Sequence, residues 1–196
     1  MDFLTSIIAL YVIVDPLGNI PIYLSLTKDM DRRAARRILV VSVAVATAVL
    51  LIFALTGLWV LSYFDVGLSD FLVASGIILL AFSIQDFLKP LEEASAVEKL
   101  TPERAVVPLA VPFLAGPAAI TYVITLSKEI GILYTIIVIF IVAMLTFITL
   151  LASRLLLKIL GRLGVLVIEK IILLLAAAVG IALIREGLAG WGLIKG

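Results

Sequence analysis

Residues 38–64 contain no charged side chain. A helix needs roughly 20 residues to cross a hydrocarbon core about 30 Å thick, and this run exceeds that. Five further apolar runs share the pattern: 3–27, interrupted only by Asp15, then 71–85, 105–127, 130–153 and 171–184, all without charge. The runs at 71–85 and 171–184 are short and need flanking residues, Phe87 and Leu88 or 165–168, to span. Lipid offers no water to free backbone groups, so the runs read as helices. Hydrophobic residues make up 64% of the chain and charged residues 15%, against about 45–50% and 25% in soluble domains. The expected fold class is an all-α integral membrane protein with six transmembrane helices.

The first run lacks a basic leading segment, carries Asp15 centrally and outlasts the apolar core of a signal peptide, so it is expected to remain as a span. Lys and Arg distribute unevenly between the connections. Lys28, Arg32, Arg33, Arg36 and Arg37 follow the first run, Lys89, Lys99 and Arg104 the third, and Arg154, Lys158, Arg162 and Lys170 the fifth. Only Lys128, Arg185 and Lys195 fall on the other side. The positive-inside rule then places both termini outside the cytoplasmic membrane of the cell in a multi-pass arrangement. The Arg32–Arg37 cluster reads as an orientation signal touching anionic lipid. One charged stretch with Pro90 and Pro102 divides the chain, giving a first three-helix unit at 1–90, a cytoplasmic linker at 91–104 and a second unit at 105–196.

Several function classes fall away on composition. The chain has no Cys and no His, which removes thiol nucleophiles, soft-metal sites and the commonest general base. Its net charge of +1 leaves no basic surface for nucleic acid. Asn19 is the sole Asn and Gln85 the sole Gln.

The run lengths read long, long, short, twice over. Superposing residue n on n+101 places Pro16 on Pro117, and a shift of 100 places Asp86 on Glu186 with Ile84 on Ile184 and Leu88 on Leu188. Three spans per half is an odd number, so the halves would cross in opposite senses, as in the inverted repeats of secondary transporters.

Two runs carry helix breakers at their centres. Pro16, Gly18 and Pro21 should unwind the first around Asp15 to Asn19, and Pro112 with Gly116-Pro117 should interrupt the fourth. Non-helical backbone at membrane depth is tolerated only where it faces protein or a wet cavity. Freed amides at a half-helix start attract a carboxylate, and freed carbonyls at a half-helix end attract an ammonium or cation. Asp15 is a carboxylate near the bilayer centre, a functional candidate by that placement alone. The competing reading makes Asp15 and Asn19 caps of a half-helix or turn; the two roles are compatible. Thr121, Tyr122, Tyr11 and Tyr23 lie near the breaks and could supply hydroxyls, though tyrosines also serve packing and interfacial belts. Gln85 and Asp86 end the third run, and Arg185 and Glu186 the sixth, as interfacial anchors or gates. Ala44, Ala46 and Ala48, and residues 176–180, suggest helix-packing surfaces.

At Asp15-Pro16-Leu17-Gly18-Asn19-Ile20-Pro21 and Pro112-Phe-Leu-Ala-Gly116-Pro117 the sequence resembles the MarC family, the small neutral amino acid transporter group within the LysE-type exporter superfamily. The resemblance covers essentially the whole chain. It implies six helices in two inverted repeats, with helices one and four broken at the midplane. It also implies transport of small neutral amino acids, glycine or alanine, driven by an ion rather than by ATP. Leu17 stands where the family commonly has an aromatic residue, and Ala118 where it often has glycine.

The expected function is therefore ion-coupled secondary transport of small neutral amino acids by alternating access. Its binding site would comprise Asp15, Pro16, Leu17, Gly18 and Asn19 from one broken helix and Ala115, Gly116, Pro117, Ala118 and Thr121 from the other. Asp15 would hold the ammonium or the coupling proton, amides after Pro16 and Pro117 the carboxylate, and Leu17, Ala115 and Ala118 would wall a small cavity. Gln85 and Asp86 are the candidate gate. The alternative is an exporter of another small solute or a monovalent cation on the same scaffold. An intramembrane enzyme is not expected, because a single deep carboxylate leaves paired acid–base chemistry without a second member. No cofactor or metal is expected, and the coupling ion, H+ or Na+, stays open. The partners are the amino acid substrate and membrane lipid; a homo-oligomer is compatible with the sequence.

Overall fold

The computed structural model describes residues 2–28, 30–88 and 109–194, and every element in them is helical. The chain runs α1 (Phe3–Val14), α2 (Asn19–Leu26), α3 (Arg32–Tyr63), α4 (Leu68–Leu88), a short π-helical segment α5 (Leu109–Leu114), α6 (Pro117–Glu129), α7 (Ile132–Leu151) and α8 (Ser153–Gly190). The expected linker at 91–104, and with it the boundary between the two units, lies outside the described residues.

Among the described residues, four helices are long and apolar enough to cross a membrane: α3, α4, α7 and the Leu166–Gly190 part of α8. Helices α1 and α2 qualify together as a pair bent by 49°. The short third and sixth runs do recruit their neighbours. Helix α4 extends to Leu88, and the last span begins at Leu166. The basic connection after α7 departs from expectation, because residues from Ser153 onward are already helical and only Gly161, at φ 67°, interrupts α8. That left-handed conformation suits a residue without Cβ.

Local sequence explains the ends. Asp31 caps α3 through a 2.8 Å hydrogen bond accepted from the Ala34 amide, a contact that contributes about 0.5–2 kcal/mol. Gly131, at φ 88°, turns the chain between α6 and α7. Asp70 in the first turn of α4 accepts from the Gly67 amide at 2.8 Å.

Lipid tails are as apolar as leucine, so helices here associate through close packing and hydroxyl bonds rather than water exclusion. Helix α3 buries the stripe Ala35, Ile38, Leu39, Ser42, Val43, Ala46, Leu50, Ala54 and Gly57, at helical spacing. Ala44 and Ala48 are exposed; they flank Ala46 two residues away, and such positions do not share a helix face. On α8 both Ala176 and Gly180 are buried. The longest pairing is antiparallel, α4 on α8, and it is closest where Gly76 meets Gly180. A Cβ built on Gly76 would stand 2.5 Å from the Gly180 carbonyl, and one on Gly180 2.9 Å from the Gly76 carbonyl. Helix α3 lies on α6 and α7, and α1 on α6, α7 and α8. Aromatic pairs Phe3–Tyr134, Trp59–Tyr63 and Tyr63–Phe64 gather where α1 and α7 begin and α3 ends. Amphipathic rings concentrate at membrane–water interfaces in this way. The arginines that open α3 sit at its other end.

Candidate functional site

The first break lies where the prolines and glycine place it. Helix α1 stops at Val14, and Asp15 adopts the left-handed conformation (φ 46°, ψ 60°). Helix α2 restarts at Asn19 with Gly18 as its N-cap. Pro21 falls within the first turn of α2, where a missing amide has no helical partner to lose, so it does not widen the break. Asp15 Oδ1 accepts from the Gly18 amide at 2.9 Å. The Asn19 side-chain amide donates to the carbonyls of Val14 at 3.1 Å and Asp15 at 2.8 Å. Backbone amides of Asn19 and Ile20 bond Asp15 and Leu17 carbonyls. Much of the bend is thereby closed on itself: the Val14 and Asp15 carbonyls and the Gly18, Asn19 and Ile20 amides are satisfied within it. Gly18 is required for space, since a Cβ there would fall inside the Asp15 carboxylate.

The second break is built differently. Val111 is extended (φ −139°, ψ 121°), the conformation a residue preceding proline prefers. Gly116 is extended as well, and Pro117 opens α6 at its first position, where a fixed φ suits the helix. The Ile120 amide bonds the Gly116 carbonyl, whereas the amides of Ala118 and Ala119 have no partner among the described residues. Helix α6 therefore presents an open N-terminus, where unsatisfied amides and the helix dipole favour an anion.

Both breaks face one cavity of about 270 Å³. The broken helices contribute Asp15, Gly18, Asn19 and Ile22 on one side and Gly116, Pro117, Ala118 and Ala119 on the other. Helix α4 adds Ile78, Leu79, Phe82, Ser83 and Asp86, and α8 adds Glu169, Leu173 and Ala176. The cavity runs from the breaks toward the ends of α4 and of the last span that carry Asp86 and Glu169. In the other half of the bundle the same helices are shut. Ser75 and Thr121 share a hydrogen bond there, Gly76 meets Gly180, and at the rim the Trp191 indole donates to Asp70 Oδ1 at 2.8 Å.

Of the residues singled out in the sequence, Asp15, Gly18, Asn19, Gly116, Pro117, Ala118 and Asp86 line this cavity. Pro16, Leu17, Ala115, Thr121 and Gln85 do not. Pro16 is buried behind the bend and Leu17 packs on the core. Ala115 is buried behind the second break. The Thr121 hydroxyl is engaged by Ser75 and by the Pro117 carbonyl at 2.9 Å. Gln85 is exposed away from the cavity. The tyrosine hydroxyls are engaged elsewhere as well: Tyr11 with Thr149 at 2.8 Å and Tyr23 with the Ala35 carbonyl at 3.3 Å.

One expectation is corrected: the walls are not Leu17, Ala115 and Ala118, of which only Ala118 lines the space. Asp15 is joined at the cavity by Asp86 and Glu169, near the ends of α4 and of the last span, and no Lys or Arg lines it. Glu169 was the residue sequence reasoning missed. It stands four and seven residues before Leu173 and Ala176, a single helix face, and that spacing was the available signal. Neighbouring Lys170 donates to the Asp86 and Phe87 carbonyls at 2.6 and 2.9 Å, tying α8 to the end of α4. Among the described residues no group of His, Cys, Asp and Glu is arranged to hold a metal ion.

Apolar helices packed through small residues, two of them broken against a half-length cavity, define a polytopic membrane protein with a buried polar site. The chain belongs to the MarC family of integral membrane proteins, whose profile matches residues 1–192. It is 31% identical to a UPF0056 membrane protein of Methanocaldococcus jannaschii over 96% of both chains. It is 30% identical to one of Archaeoglobus fulgidus, covering 95% of this chain and 92% of that one. A third relative, the UPF0056 inner membrane protein YhgN of Escherichia coli K12, is 28% identical over 97% of this chain and 98% of its own. No solved structure matches.

Proposed function

We propose that the protein is a secondary transporter, not an enzyme, that carries small neutral amino acids such as glycine and alanine by alternating access. The observation that carries this reading is the pairing of unlike groups across one cavity. Asp15 presents a carboxylate to a substrate ammonium, and the amides of Ala118 and Ala119 at the start of α6, without a partner among the described residues, present donors to a carboxylate. That combination suits a zwitterion of no net charge. Asp15 would bind substrate or take the coupling ion, H+ or Na+. Asp86, at the cavity's far end, would gate it.

Two inverted three-helix repeats underlie this reading, α1–α4 and α5–α8. Their support is the reciprocal packing of α4 on α8 and α3 on α7, and the paired breaks that begin each half. The arginines opening α3, and Arg154 at the start of α8, belong to the same end of the bundle as Asp86 and Glu169. The positive-inside rule then has that end facing the cytoplasm and both termini outside.

The three carboxylates also favour a second reading, a carrier of a monovalent cation or an amine. Purified protein in liposomes, assayed for labelled alanine and glycine uptake under pH and sodium gradients, tests both. Gradient-driven uptake abolished by Asp15→Asn supports the first. Sodium or amine flux without amino acid uptake supports the second. Uptake indifferent to Asp15→Asn would reduce that residue to a cap.

A further inference from the structure

We propose that the best substrates of this site carry a branched aliphatic side chain of valine or leucine size, seated between α4 and α8, with glycine and alanine carried less well. This rests on the amino acid reading above and names the part of the substrate that reading leaves open.

The groups that suit a zwitterion sit at one place, the two breaks. From there the cavity continues between α4 and α8 along Ile78, Leu79, Phe82, Leu173 and Ala176, an apolar wall. Ser83 interrupts it only in name, because its hydroxyl is donated to the Leu79 carbonyl at 2.7 Å. The volume is about 270 Å³, whereas an apolar cavity of about 150 Å³ suffices for benzene. Alanine has as many heavy atoms as benzene, so an alanine held at the breaks would leave much of the apolar wall without a partner. Unfilled apolar space forfeits dispersion contacts on every side that lacks an atom. Water filling it would find few polar partners there. A branched aliphatic group attached to the same zwitterion fills this sector. Beyond it Asp86 and Glu169 stand across the cavity's far end, so an anionic side chain is repelled.

Each methylene in a hydrophobic pocket changes selectivity by about 10- to 200-fold. Leucine and valine are therefore expected to inhibit labelled-alanine exchange in proteoliposomes at concentrations at least tenfold below unlabelled alanine, with glycine weakest and glutamate inert. Ala176→Leu and Ile78→Trp both place atoms in the apolar sector. Each is expected to collapse the leucine-to-alanine ratio by about tenfold. Ile78 is half exposed and so tolerates change even if the buried Ala176 site does not. Leucine no better than alanine in the unaltered protein overturns the inference while leaving amino acid transport standing. Lysine as the strongest competitor overturns it too, by showing that the far carboxylates rather than the apolar wall select the side chain. Exchange of no amino acid at all, with sodium or amine flux present, removes both this inference and the reading beneath it.

Discussion

Asn19 does two jobs with one amide group, holding the last carbonyls of α1 while beginning α2. Replacing it by Ala takes the side-chain donor from the Val14 carbonyl at membrane depth and leaves the Asp15 carbonyl only the backbone amide of residue 19. A buried polar group so stranded costs about 1–3 kcal/mol. Asn19→Ala should therefore lower thermal unfolding in detergent markedly, and more than any single exposed apolar-to-Ala change on α3. Gly18→Ala acts on position rather than stability. Its methyl group would occupy the space of the Asp15 carboxylate, which must swing away from the cavity and lose its bond to the Gly18 amide. The expected result is a folded protein whose substrate affinity falls about 10- to 100-fold, the equivalent of a charge-assisted contact of about 1.5–3 kcal/mol. Binding measured by calorimetry beside circular dichroism separates the two variants. The placing of Asp15, Gly18 and Asn19 in a helix break was readable in the sequence because their chemistry is local. The particular bonds were not, since whether an Asp caps its own turn or faces a ligand depends on one backbone dihedral. Here it does the first with Oδ1 and lines the cavity as well.

Helix breaks were legible for the same reason, as proline and glycine act within a turn of themselves. What was not legible is the difference between the two breaks. The first satisfies its own amides through Asp15, whereas the second, with Gly116 and Pro117 in place of a capping side chain, leaves Ala118 and Ala119 without a partner among the described residues. Facing was equally hidden. Thr121 lies one turn beyond Pro117, yet α4 supplies Ser75 on that side, so the hydroxyl became a packing contact. Glu169 entered the site because α8 is already helical before its apolar run and turns that face toward α4. The α4–α8 crossing gives a test at this level. Gly76→Ala sets a methyl group against a backbone carbonyl that cannot rotate away, and overpacking of this kind costs about 1–3 kcal/mol. The same substitution at Gly131, which has nothing within 4 Å of a Cβ, should cost only the strain of its positive φ. Denaturation midpoints of the two variants measure the difference.

Viewed whole, the bundle is open along half its length and shut along the other. The absence of native cysteine allows single-cysteine labelling without a background. Phe82→Cys should react with a membrane-impermeant thiol reagent from the side of the α3 arginines. Ser75→Cys, buried against Thr121, should stay unmodified from that same side. Equal labelling of both would mean that the seal between α4 and α6 does not hold in the membrane. Six apolar runs and the membrane class followed from hydropathy alone. The cavity's size and walls did not, because they come from side chains on four helices that no one-dimensional pattern brings together.

The bond between Trp191 and Asp70 has a practical corollary. The chain contains two tryptophans; Trp59 is largely exposed and stacks on Tyr63, so Trp59→Phe leaves one indole, its N–H held by a carboxylate on the neighbouring helix. Fluorescence from that single ring then reads out optically whether the rims of α4 and α8 are joined or parted. A change in its emission on adding substrate, absent in Asp70→Ala, would time the opening of the closed half without any attached dye.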